Sequence, residues 1–96
     1  MKKVQAQTRF FTATALLPES LEDKEYIGKT VKFNRMGEKR LSKAKLVEIV
    51  PIEEIASEDY AKTLRERGHE YGFVVETLNK KNEVIFRETA FHIYEA

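Results

Sequence analysis

The chain has 96 residues, a net charge of +1, 42% hydrophobic and 34% charged residues, and no cysteine. That describes one folded domain, residues 1–96, rather than a disordered segment, and gives no global field to drive binding to nucleic acid or a membrane. It also excludes disulfides, thiolate metal sites and a cysteine nucleophile, in keeping with a cytoplasmic protein.

Residues 4–17 alternate with one slip. Val4, Ala6, Thr8 and Phe10 share one parity, and Phe11, Ala13, Ala15 and Leu17 share the other. An extra residue at Phe10-Phe11 would reconcile them as a β-bulge, which predicts one long bent strand. The same stretch reads as strand rather than signal peptide, because Gln5, Gln7 and Arg9 interrupt its apolar part. No apolar run is long enough to span a membrane as a helix.

Pro18 ends this strand. Residues 18–28, PESLEDKEYIG, are acidic and turn-like, with Ser20 as a capping candidate. KTVKFNR (29–35) alternates again, with Val31 and Phe33 on one side. LSKAKLVEIVPI (41–52) is the returning strand. A three-residue turn, Met36-Gly37-Glu38, would place Phe33 opposite Leu41; an even turn would place it opposite Arg40. We favour the odd turn. Leu46, Val47, Ile49 and Val50 fall on both faces, so that part of the strand is buried on two sides or bends.

SEDYAKTLRERG (57–68) carries the signals of a helix. Ser57 can cap it, Glu58 and Asp59 suit its positive end, and Arg65, Arg67 and Gly68 suit its close. The stripe of Tyr60, Ala61 and Leu64 is narrow, so the helix should lie on a sheet. YGFVVETLN and EVIFRETAFHIYE (71–79 and 83–95) form a last hairpin. An odd turn pairs Leu78 with Val84 and Tyr71 with Phe91; an even turn pairs Val75 with Phe86.

The expected order is β-β-β-α-β-β. The expected fold is mainly β with one helix, a small and strongly bent antiparallel sheet or partly open barrel of SH3-like or OB-like kind. The alternative is an α+β two-layer sandwich.

Signals for catalysis are sparse, and no catalytic residue, metal ligand or cofactor is expected. His69 and His92 have no ligand spacing between them. His69 reads as a loop residue and His92 as half-buried in its strand. Ser20, Ser42 and Ser57 sit in no nucleophile elbow, and the scattered glycines form no phosphate loop. Glu53-Glu54 and Glu58-Asp59 read as solvated carboxylates at a helix entrance.

The informative stretch is residues 29–45, which hold seven Lys or Arg against one Glu. Lys32, Arg35, Lys39, Arg40, Lys43 and Lys45 are the candidate binding residues, with Arg9, Phe10 and Phe11 able to add to them. Depending on the turn, these cations converge into a strip or divide between two faces. Acidic segments at 19–25 and 48–59 flank them, so neutralisation in place, on a merely solvated hairpin, is the plain alternative. A compact binding module without catalysis is expected, acting on a protein partner as an accessory, inhibitor or regulatory protein of bacterial or viral kind. One alternative is nucleic-acid binding through the hairpin at 29–45. Another is a small anionic ligand such as a nucleotide. The acidic and basic segments could also meet between two copies, giving a homo-oligomer.

Overall fold

The computed structural model describes residues 1–35 and 38–96. It is mainly β with one helix. Seven strands run in chain order as β1 (Lys2–Gln7), β2 (Thr12–Leu17), β3 (Thr30–Phe33), β4 (Ser42–Pro51), β5 (Tyr71–Leu78), β6 (Val84–Ala90) and β7 (Ile93–Glu95). The helix α1 (Glu58–Glu66) follows β4 after a short 3-10 turn at Ile52–Glu54. All pairings are antiparallel, in the order β1-β2-β7-β3-β4-β5-β6. No pairing joins β1 to β6 among the described residues, so the sheet is not closed into a barrel.

This strand order forces a strong curl. Strands β7 and β6 stand four places apart, which in a flat sheet would separate them by roughly 19 Å. Only Phe91 and His92 join them, and the step from Ala90 to Ile93 reaches at most about 11 Å. The sheet must therefore bend until β6 returns toward β7. Its inner face holds Leu16, Val31, Phe33, Ala44, Leu46, Ile49, Phe73, Val75 and Ile93 as one continuous core. Tyr26 and Ile27, from the turn-rich segment after β2, pack against that core from the side. The Tyr26 hydroxyl donates to Glu95 Oε1 at 2.7 Å, which fastens this segment to β7.

The strand order differs from the expected one at both ends. The long bent first strand is a hairpin, with Gln7 opposite Thr12. Thr8 makes the reversal. Its Oγ1 accepts from the amides of Phe10 and Phe11 and donates to the Phe11 carbonyl, while its own amide donates to the same carbonyl at 2.8 Å. A side chain that satisfies three backbone groups of a tight turn competes well with a bulged strand. At the other end, residues 83–95 are not one strand. The chain breaks at Phe91-His92, and Ile93–Glu95 crosses to lie between β2 and β3.

The β5–β6 hairpin begins in the odd register, Leu78 opposite Val84. One extra residue at Ile85 then shifts it, so Thr77 faces Phe86 and Val75 faces Glu88. Asn79 shapes this turn, its Oδ1 accepting from the amides of Lys81 and Glu83. Strand β4 also bends, with a register shift between Leu46 and Glu48. That shift lets Leu46 and Ile49 point inward while Val50 is buried on the opposite face.

Helix α1 forms as its sequence suggests. Ser57 Oγ accepts from the Tyr60 amide, and Gly68 closes the helix at φ +91°. Ala61 and Leu64 pack with Ile52 and with Ile55, Ala56 and Phe91 in a second, smaller core. Ile55 lies over Gly72, where an added Cβ would meet Ile55 Cδ1 and the Ala90 carbonyl. The helix layer thus covers the outer face of the sheet at the Val50–Gly72 end and leaves the other end open. Among the described residues no helix is long and apolar enough to cross a membrane.

Candidate functional site

The register of β3 and β4 decides where the basic hairpin points. Met36 and Gly37 of the expected three-residue turn lie outside the described residues. The strands on either side nevertheless pair Phe33 with Ser42, neither with Leu41 nor with Arg40. Asn34 helps to set this wider loop, its Nδ2 donating to the carbonyls of Arg35 and Glu38. The expected register would have placed Lys43 with Val31 and separated it from Lys32. The observed one pairs Lys32 with Lys43 and Val31 with Ala44. Directly opposed residues of an antiparallel pair share a face. Lys32, Lys43 and Lys45 therefore converge on the outer face, and Val31, Phe33 and Ala44 go into the core.

No carboxylate lies within ion-pairing distance of Lys32, Lys39, Arg40, Lys43 or Lys45 among the described residues. Several of the acids that flank them in sequence are engaged elsewhere. Glu48 and Glu76 pair with Arg87, Glu53 with Arg65, and Glu95 with Lys3 and the Tyr26 hydroxyl. Glu19 and Asp23 face the Met1 amine. Lys32 opposite Lys43 is a like-charge cross-strand pair, an arrangement that works against the sheet.

Arg35 does not belong to this strip. It turns to the inner side, where Nε and Nη2 donate to the two carboxylate oxygens of Glu88 at 2.6 and 2.7 Å. Nη1 donates to Ser42 Oγ at 2.9 Å and Nη2 also reaches Thr77 Oγ1 at 3.4 Å. The guanidinium lies over the Phe33 ring, 5.0 Å from its centroid. The hydrogen bonds from Arg35 hold the Glu88 carboxyl below its ordinary range, and Glu88 in turn raises the Arg35 pKa.

Two aromatics at the β1–β2 turn extend the outer face. Phe11 packs edge-on to Tyr94, with ring centroids 5.8 Å apart, and Tyr94 stands beside Lys32 in the sheet. Phe10 is 46% exposed. The Arg9 guanidinium and the Lys39 ammonium lie 5.9 and 5.7 Å from its ring centroid. The sequence signal for Phe10 was its doublet with Phe11, read as a bulge. It is the exposed member of a turn.

A groove at the mouth of the curl holds about 380 Å³ and is lined by Phe33, Asn34, Arg35, Tyr60, Glu88 and His92 among others. It is poorly suited to a small anion, because Arg35 is bound by Glu88 and Glu88 brings its own negative charge. His92 Nε2 lies 3.1 Å from the Tyr94 hydroxyl. Burial pushes the pKa of His92 down, with His69 nearby adding to the effect; burial does the same to His69, with help from Arg67. Among the described residues no three His, Asp or Glu gather in metal-binding geometry.

The outer face also carries apolar groups that the basic stretch did not announce. Val84 and Ile85, on edge strand β6, are 52 and 51% exposed, while Phe86 pairs with Thr77 and so lies toward the concave side. Extending the Lys45–Glu76 pairing by two residues brings Lys43 beside Leu78, and Leu78 pairs with Val84. Lys43, Lys45, Leu78 and Thr30 line one shallow dimple of about 140 Å³. Comparison with known proteins finds no family model, no curated protein and no solved structure that matches this chain.

Proposed function

We propose that the chain is a non-catalytic binding module that acts through its outer face on a protein partner, in the manner of an accessory, inhibitor or regulatory protein. The observation that carries this reading is the opposition of Lys32 and Lys43, with Lys45 beside them and no carboxylate in pairing distance among the described residues. A sheet gains nothing from such a pair, so an external anionic surface is the natural counterpart. The apolar flank at Val84 and Ile85 favours a protein over a simple polyanion, since interface cores are rich in large side chains. A small bent sheet is also the build of SH3-like and OB-like modules, an analogy of shape alone. A cytoplasmic setting suits a chain without cysteine.

The test is affinity capture from a lysate of the source cell, with and without nuclease, comparing the native chain with K32E/K43E/K45E. A protein retained by the native chain after nuclease treatment and lost by the variant supports the reading. Equal retention by both would exclude the basic face as the contact.

A second reading is binding of single-stranded nucleic acid. Phe10, exposed between Arg9 and Lys39, favours it, because bases stack on such rings while cations meet the phosphates. Affinity for oligothymidylate should then fall linearly in log–log form with salt and drop on Phe10→Ala. Undetectable binding at low salt would remove this reading.

A further inference from the structure

We infer that the partner contacts this protein through an acidic segment that carries large apolar side chains beside its carboxylates. The inference rests on the protein-binding reading above and specifies the chemistry of what is bound. The ground is a single row across the outer face. Register places Tyr94, Lys32, Lys43, Leu78 and Val84 side by side, one from each of five successive strands, β7, β3, β4, β5 and β6. Tyr94 itself is buried against Phe11, so the accessible row begins at Lys32. The row is charged in its middle and apolar at its β6 end, where Val84 and Ile85 are half exposed. The dimple between Lys43, Lys45 and Leu78 joins the two parts without a gap.

Each part needs a different complement. Lys32, Lys43 and Lys45, with no carboxylate partner among the described residues, pair with an acidic surface, which steers the encounter and fixes its orientation. Val84 and Ile85 pair with apolar side chains, whose burial adds affinity that salt does not screen. A bare polyanion satisfies only the first part, and an uncharged apolar peptide only the second. The two parts adjoin, so one short segment with Glu or Asp next to Leu, Ile or Phe satisfies both. Strand β6 is a sheet edge, which adds unpaired backbone groups at the apolar end.

The experiment uses two synthetic peptides of identical charge, one with Glu and Leu side by side and one with every Leu replaced by Ser. Binding of each to the full chain is followed by titration calorimetry at low and at physiological salt. The Leu peptide is expected to bind about tenfold more tightly or better. The variant V84S/I85S should erase that difference while keeping the Ser-peptide affinity. The variant K32E/K43E should weaken both peptides. Both sites are at the surface, and thermal melting of each variant confirms that it is folded. Equal affinity for the two peptides overturns this inference and leaves the basic-face reading standing. Binding of neither peptide at low salt overturns that reading as well.

Discussion

Arg35 and Glu88 are joined by two hydrogen bonds across the concave side of the sheet, at 2.6 and 2.7 Å. With Ser42 and Thr77 also in reach, one guanidinium beyond the end of β3 ties that end to β4, β5 and β6. The pair spans strands that are not neighbours, so it holds the curvature as well as the local contact. Both side chains are partly exposed, about 30% and 27%, which limits its worth. We expect Arg35→Met to cost about 1–2 kcal/mol in urea denaturation, and Glu88→Gln to cost a similar amount. A double-mutant cycle should give a clear coupling between them. Additive losses would show that the clamp contributes nothing of its own.

The same pair sets an acid response. The Glu88 carboxyl titrates below its ordinary value in the folded chain because Arg35 holds the charged form. Its contribution is therefore present above the carboxylate's unfolded pKa and fades as pH falls through the lower, folded value. The stability gap between the native chain and Glu88→Gln should be open at neutral pH and close in acid. A gap that stays constant into strong acid would contradict this account of Glu88.

The two histidines act at milder pH and in the same direction. Burial lowers the pKa of both His69 and His92. The unfolded chain then takes up protons near pH 6.5 that the folded chain refuses. Stability should rise with pH through the interval just below 6.5 and level off above it. The double variant H69Q/H92Q should flatten that interval in a plot of Tm against pH. An unchanged slope would place the response elsewhere.

Packing at Gly72 allows a sharp test of the helix position. A Cβ there would land on Ile55 Cδ1 and crowd the Ala90 carbonyl. Gly72→Ala should destabilise the chain by about 1–3 kcal/mol, and the double variant G72A/I55V should recover part of that loss. A stable single variant would mean that Ile55 does not rest on the strand.

The lysine pair links stability to function. Replacing Lys43 by Glu turns a like-charge cross-strand pair with Lys32 into an opposite-charge one. Lys43→Glu should raise stability by about 0.2–1 kcal/mol and weaken capture of the partner. A substitution that improves the fold while impairing binding is what a surface maintained for recognition produces. Loss of stability with unchanged binding would speak for a merely solvated hairpin.

Much of the architecture was legible in the residues. Helix α1 had a complete set of end signals, from Ser57 to Gly68, and alternation marked the strands at residues 4–17 and 29–35. What the pattern missed was chosen by local polar chemistry or by distant contacts. Thr8 turned an apparent bulge into a hairpin, and periodicity does not register a side chain bonding to its own turn. Strand β7 left β6 because Ile93 and Tyr94 are buried between β2 and β3, a long-range preference invisible in a short window. The basic residues were identified, but not their division. Arg35 belongs to the clamp because Glu88, far away in sequence, is its partner. Lys32, Lys43 and Lys45 share a face because the β3–β4 connection takes an even register, Phe33 opposite Ser42, in place of the favoured odd one. The apolar neighbours Leu78 and Val84 enter that face through pairings the sequence left open.

The most direct measurement is a map of amide chemical shifts on the isotope-labelled chain as its captured partner is added. The account predicts the largest changes at Lys32, Lys43, Lys45, Leu78, Val84 and Ile85, with Arg35 and Glu88 little affected. Changes centred on the groove lined by Arg35, Tyr60 and His92, with the outer face silent, would contradict it.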